Sequence, residues 1–248
     1  DTVLLVSANH AEVIQSFWGI LRSGGVIAPP NAALSTEELL GISAEVAPAA
    51  VIADRAHADF VTALKDTGFT GLVFWIGDLP TAQAAAAPAE AVDSAVDEDD
   101  PCWYFFTSGS TGRPKAATFT HRHLGAVLMN HRCDLFPNED ETGASLVLAP
   151  LSHGAGIHML GQVFGGTPSI IHPGGKPSVE SLWPAIDAYG ITNAFTVPTI
   201  LNRIAAGYPE GRGPEDHTLE RVIYAGAPML ATDQARALER LGPCLVQY

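Results

Sequence analysis

Short apolar runs alternate with amphipathic stretches along this chain. Residues 3–6 form a continuous apolar run of strand length, and Val13, Ile14, Phe17, Trp18 and Leu21 recur at the spacing of one helical face. Asn9 followed by Glu12 reads as a capping box at the start of that helix. A strand at 26–28 follows, and then Ser35 with Glu38 caps a helix that carries Leu39, Leu40, Ile42 and Val46. Strands near 50–53 and 72–76 flank a helix at about 56–65. Strand, helix, strand in this rhythm predicts a parallel sheet with helices on its faces.

Residues 81–100 break the rhythm with an Ala/Pro-rich stretch and then Asp97-Glu98-Asp99-Asp100, which reads as an exposed connector. Beyond it come a strand at 102–107, a Gly/Ser/Thr loop, a strand at 116–120 and a helix through about Asp134. Further strands are expected at 144–149, 168–171, 193–195, 221–225 and 244–247. Val179, Leu182, Trp183, Ile186 and Tyr189 mark a helix behind Ser178, while Thr196 and Pro198 open another as cap and first-turn proline. No repeat of fixed period is visible. The fold class is α/β, with two linked, mostly parallel sheets and flanking helices. The pattern divides them into a first lobe at 1–80, the connector at 81–100 and a second lobe at 101–248.

At 248 residues and 47% hydrophobic, the chain can bury a substantial core. Its formal charge of −14 repels a polyanion and argues against nucleic acid as a partner, although local amides and one or two cations can still hold a small anion. Cys102, Cys133 and Cys244 lie far apart, without zinc or CxxC spacing, and read as free thiols of a reducing cytoplasm. No apolar run approaches the ~20 residues of a membrane helix. The opening residues, Asp1 to Val6, read as the middle of a domain, which leaves open a targeting segment ahead of them.

The most informative segment is Thr107-Ser108-Gly109-Ser110-Thr111-Gly112-Arg113-Pro114-Lys115. Glycines let backbone N–H groups turn toward an anion, hydroxyls add donors, and Lys115 supplies a positive charge. A Walker loop would lead straight into a helix, whereas Lys115 is followed by the strand-like Ala116-Ala117-Thr118. Phe106 through Lys115 resembles the signature of the acyl-adenylate-forming superfamily, in which acyl-CoA synthetases, peptide-synthetase adenylation domains and luciferases belong. Three other segments resemble the same family in the same order. Leu151-Ser152-His153-Gly154-Ala155-Gly156 is similar to the segment bordering the acyl pocket. Tyr224-Ala225-Gly226-Ala227-Pro228 is similar to the adenine-binding turn. Leu245-Val246-Gln247-Tyr248 is similar to the run into a Tyr-Gly-x-Thr-Glu motif, with the register of Tyr248 open.

The resemblance implies part of the large N-terminal domain of an adenylate-forming enzyme, with the motif's Thr and Glu, a ribose-binding aspartate and a C-terminal lysine domain expected beyond Tyr248. It implies ATP-dependent activation of a carboxylic acid as acyl-AMP, with release of pyrophosphate and then transfer to CoA, in fatty or aryl acid metabolism. Thr107, Ser108, Gly109, Ser110, Thr111, Gly112 and Lys115 would grip the phosphates, Gly226, Ala227, Pro228 and Tyr248 would seat the nucleotide, and His153 would border the carboxylate. Lys115 and His153 are the catalytic candidates. Mg2+ would take its Glu ligand beyond the chain end, and a homodimer is left open. A carrier-protein acceptor and a non-catalytic nucleotide-binding or scaffolding role remain alternatives. A serine hydrolase is disfavoured because GxSxG is absent around Ser110 and Ser152. His121, His123, His131 and Cys133 read as helix-surface residues rather than a metal site.

Overall fold

The computed structural model describes residues 1–78, 94–107, 115–136, 142–172 and 178–248. They fall into two compact units, Asp1–Ala126 and Val127–Tyr248.

The first unit starts with β1 (Thr2–Val6), α1 (Ala11–Arg22), β2 (Val26–Ala28), α2 (Thr36–Val46) and β3 (Ala50–Ala53). A 3-10 turn at Arg55–His57 leads into α3 (Ala58–Asp66), followed by β4 (Leu72–Trp75), β5 (Pro101–Thr107), β6 (Lys115–Thr120) and α4 (His121–Asn130). The sheet order is β4-β3-β1-β2-β5-β6, with parallel pairing except between β5 and β6. Successive strand side chains point to opposite faces. Leu4, Leu5 and Val6 are nonetheless all buried, so both faces of β1 are covered, as its unbroken apolar run requires. The core adds Leu39, Ile42 and Val46 from α2 to Phe60, Val61 and Leu64 from α3.

Ser35 and Glu38 form the expected reciprocal capping box. At α1 the cap differs from the Asn9/Glu12 expectation. His10 is the N-cap, its Nδ1 accepting from Glu12 N at 3.2 Å, while the Glu12 carboxylate accepts from Gly77 N at 2.8 Å. An amide distant in sequence, left over at the end of β4, has claimed the side chain that a local box would use. The buried face is Val13, Ser16, Phe17 and Ile20, rotated away from Trp18 and Leu21.

The expected lobe boundary also shifts. Ile27 of β2 pairs with Trp103 of β5, so the β5–β6 hairpin completes the first sheet instead of opening a second lobe. The division falls inside α4, and residues 81–93 of the expected connector lie outside the described residues. Composition marked the connector as exposed, but it carries no information about which sheet edge the following strands join.

The second unit continues from α4 through a π turn at His131–Leu135. It then runs β7 (Ser145–Val147), α5 (Gly154–Gly165), β8 (Ser169–Ile171), α6 (Val179–Tyr189), β9 (Asn193–Thr196), α7 (Pro198–Ala206), β10 (Arg221–Tyr224), α8 (Ala231–Leu241) and β11 (Leu245–Gln247). The order is β11-β10-β9-β7-β8 and every pair is parallel. Leu182, Trp183 and Ile186 of α6 enter the core as their spacing predicts, whereas Tyr189, at the last turn, is exposed. Val197, not Thr196, caps α7.

A polar cluster lies inside this unit. Asn193 Nδ2 donates to Gln162 Oε1 (3.0 Å), which leaves Asn193 Oδ1 to accept from His158 Nε2 (3.1 Å); Ser145 Oγ lies 3.0 Å from the same nitrogen. Gln162 Nε2 reaches His131 Nε2 at 3.5 Å, and the His131 ring stacks on Phe136. Gly161 makes room for it, since a Cβ there would lie 2.5 Å from His131 Cδ2. Burial pushes His131 down to about 4, and burial followed by the neighbouring His131 pushes His158 down to about 3. Both rings are therefore neutral at physiological pH.

Replacing Ser35 with Ala should lower stability by about 1 kcal/mol in urea denaturation, through loss of the cap. A second outcome concerns pH. The folded values of His131 and His158 lie below the ordinary value, so as pH falls the unfolded chain takes up protons first. Their contribution is whole above about 6.5 and drains as pH falls through the folded values. Stability measured from pH 7 to 5 should therefore decline less steeply in His158→Gln than in the parent, and equal slopes would contradict the buried neutral rings.

Candidate functional site

Two groups of signature residues stand at strand ends. In the first unit, Thr107 ends β5, Lys115 begins β6, and the two face each other as the last pair of the antiparallel ladder. The sequence between them therefore leaves from the carboxyl end of β5, which runs parallel to β2. Both residues are exposed. The Ala116 N–H donates to Glu45 Oε1 of α2 at 3.4 Å, which ties the start of β6 to that helix. Ser108, Gly109, Ser110, Thr111 and Gly112 lie outside the described residues.

In the second unit the chain passes from β7 outward to β8, then crosses back to β9 on the other side of β7. The carboxyl ends of β7 and β9 thus flank a topological switch point, where open parallel sheets present their ligand crevice. Residues 150–153 leave β7 there and His153 becomes the N-cap of α5. Its N–H donates to Pro150 O at 3.2 Å, its carbonyl accepts from Gly156 N at 2.8 Å, and its Nδ1 lies 3.0 Å from Ser152 Oγ. Gly154 lies against the Phe195 ring of β9, where an added Cβ would come within 2.7 Å of Cζ. Glycine at 154 is thus what allows the α5 start to sit directly over β9.

The neighbouring strands extend this edge. The Ala225 N–H donates to Thr196 O at 3.1 Å, continuing the β9–β10 ladder by one step. Gly226 then turns with φ +84°, a conformation that favours glycine. Gly226, Ala227 and Pro228 are exposed. At β11 the Tyr248 N–H donates to Tyr224 O at 3.1 Å while its ring is 75% exposed. His153, the Gly226 turn and Tyr248 therefore line the carboxyl edge of one sheet, although they are far apart in sequence. Thr107 and Lys115 stand at a strand end of the other unit.

The same structure restricts other chemistry. Burial pushes the Cys102 and Cys244 thiols up to about 11, so neither is a thiolate at neutral pH. His123 Nδ1 accepts from Thr120 N at 3.1 Å, and His131 belongs to the buried cluster. Among the described residues no three His, Cys, Asp or Glu side chains converge as a metal site. No helix of the described residues is long and apolar enough to cross a membrane. Sequence reasoning missed the polar cluster, α5, and the side chains that hold β10 to β11. The α5 sequence, with four glycines in residues 154–165, carries a weak helical signal that packing on the sheet overrides.

The family model described as AMP-binding enzyme matches residues 1–248. A feruloyl-CoA synthase from Amycolatopsis sp is 31% identical over 242 residues, covering 97% of this chain and 47% of that protein. An oxalate–CoA ligase from Arabidopsis thaliana is 27% identical, covering 93% of this chain and 47% of that protein. The chain thus spans about half the length of these curated relatives. Among solved structures, the N-terminal domain of FACL13 from Mycobacterium tuberculosis superposes with a TM-score of 0.81 at 21% identity, over 100% of this chain and 61% of that one. ATP-bound MatB from Rhodopseudomonas palustris gives 0.81 at 21% identity, over 100% of this chain and 49% of that one. At such identity these structures establish the fold, two mostly parallel sheets flanked by helices as in the N-terminal domains of adenylate-forming enzymes. With the family model spanning its whole length, the chain belongs to the AMP-binding enzyme family.

Proposed function

We propose that this chain forms the ATP-binding part of an enzyme that activates a carboxylic acid as acyl-AMP, releases pyrophosphate and passes the acyl group to CoA. The reading rests on one observation above the others. The segments at His153, Gly226–Pro228 and Tyr248, separated by long stretches of sequence, converge on the carboxyl edge of the second sheet beside its switch point.

The residues divide the work by their chemistry. Lys115, with Thr107 and the donors from Ser108 to Gly112, holds the β- and γ-phosphates, where charge-assisted bonds are strongest. Gly226 has no side chain to keep a flat base from its backbone and Ala227 has only a methyl, so Gly226, Ala227 and Pro228 receive adenine, flanked by Tyr248. His153, at the α5 start, borders the acid, whose carboxylate is favoured near a helix N-terminus. The carboxylate oxygen attacks the α-phosphorus, the bond to the bridging oxygen breaks, and pyrophosphate leaves with that electron pair. Neither step needs a protein nucleophile, since positioning and stabilisation of the developing charge suffice. When bound, Mg2+ would shield phosphate charge. The described residues converge on no such ion, so no ligand in this chain is assigned to it.

CoA as acceptor is supported by the names of the feruloyl-CoA and oxalate–CoA relatives, and an aryl or fatty acid is the substrate class proposed. The 248-residue chain on its own is proposed to bind nucleotide weakly without turnover. ATP–pyrophosphate exchange by the full protein across a panel of aryl, fatty and dicarboxylic acids tests the reading, and exchange should require a particular acid. Nucleotide binding with no acid-dependent exchange would point instead to a non-catalytic nucleotide-binding protein. Lys115→Ala should weaken ATP binding about tenfold, as loss of one charge-assisted contact implies. Unchanged affinity by calorimetry would remove Lys115 from the site.

A further inference from the structure

We infer that Tyr224 is a positioning residue for the adenine-binding edge, its hydroxyl fixing the end of β11 and so Tyr248 against the Gly226 turn. The inference rests on the nucleotide reading above. Tyr224 is fully buried at the carboxyl end of β10 and lies opposite Gln247 in the parallel register. Its hydroxyl accepts from Gln234 Nε2 at 2.9 Å and donates to Gln247 Oε1 at 3.3 Å. Gln234 comes from α8, so one phenol links that helix to the last residue of β11. The main chain of Tyr224 acts on the same edge, since its carbonyl accepts from Tyr248 N at 3.1 Å. The next N–H, that of Ala225, fixes the entry to the Gly226 turn through Thr196 O at 3.1 Å.

β11 needs such a brace. Among the described residues it is three residues long and pairs with β10. A ladder that short leaves its last residue free to fray unless side chains hold it. Gln247 is itself exposed, so without the Tyr224 hydroxyl its amide would turn to water. Tyr248 would then lose its fixed place beside the turn. Tyr224 touches no ligand in this arrangement; it acts through Gln247 and Tyr248.

The test uses Tyr224→Phe in the full protein, with AMP and inorganic pyrophosphate as separate probes in titration calorimetry. Loss of a neutral hydrogen bond should raise the AMP Kd about three- to tenfold, with pyrophosphate affinity changed by less than about twofold. Gln234→Leu removes the same link from its other end, and the double variant should bind AMP no more weakly than Tyr224→Phe alone. Unchanged AMP affinity in both single variants would overturn the positioning role and leave the nucleotide reading intact. Equal weakening of both ligands would also overturn it, because general loss of structure does not distinguish base from phosphate. No AMP binding by the parent protein would overturn both.

Discussion

All five strands of the second sheet run in one direction, and most of the rest follows from that constraint. In a parallel ladder the backbone groups past the last pair have no further strand residue to bond. They collect along a single edge, where they must be satisfied by the next turn or by a ligand. Here Thr196 O, Tyr224 O and the turns beyond them use part of that capacity internally. The exposed Gly226–Pro228 turn and the Tyr248 ring occupy the outer side of the same edge. That edge presents main chain with little side-chain bulk, and its position is set by strand register.

The interior of this unit is less apolar than a two-sided parallel sheet would suggest. His158, Gln162, Asn193 and His131 replace hydrophobic packing between α5, β9 and the π turn. Such a cluster is tolerable only when its donors and acceptors match. Among the described residues the chain of bonds meets that condition except at His158 Nδ1, which is buried with no partner there. One unpaired acceptor costs about 1–3 kcal/mol, a large share of the net stability of a domain. The matched bonds are directional where apolar contact is not, and they join α5 to β9 and to the π turn. The α5 start carries His153, so the register of this helix sets where that side chain lies.

Much was legible in the sequence because it depends on neighbours in sequence. The run at 3–6, the Ser35/Glu38 box and the core-facing Leu182, Trp183 and Ile186 are decided by spacing of two to four residues, and each appears in the structure. The segments around His153 and Gly226 stood out by their small residues, and the structure places both at strand ends of the second sheet.

What the sequence could not settle was everything fixed by partners distant along the chain. Glu12 could have closed a local cap and instead serves Gly77, a choice made by the position of β4 relative to α1. The β5–β6 hairpin looked like the start of a new lobe, yet Ile27 supplies the edge it joins. His131 read as a helix-surface residue, yet it is buried in a cluster that Gln162, His158 and Asn193 form with it from other elements. Local sequence determined the elements, their caps and the chemical character of the loops. Tertiary structure alone decided strand order, which surfaces are buried and which strand ends share an edge, because those depend on pairings that no short stretch of sequence contains.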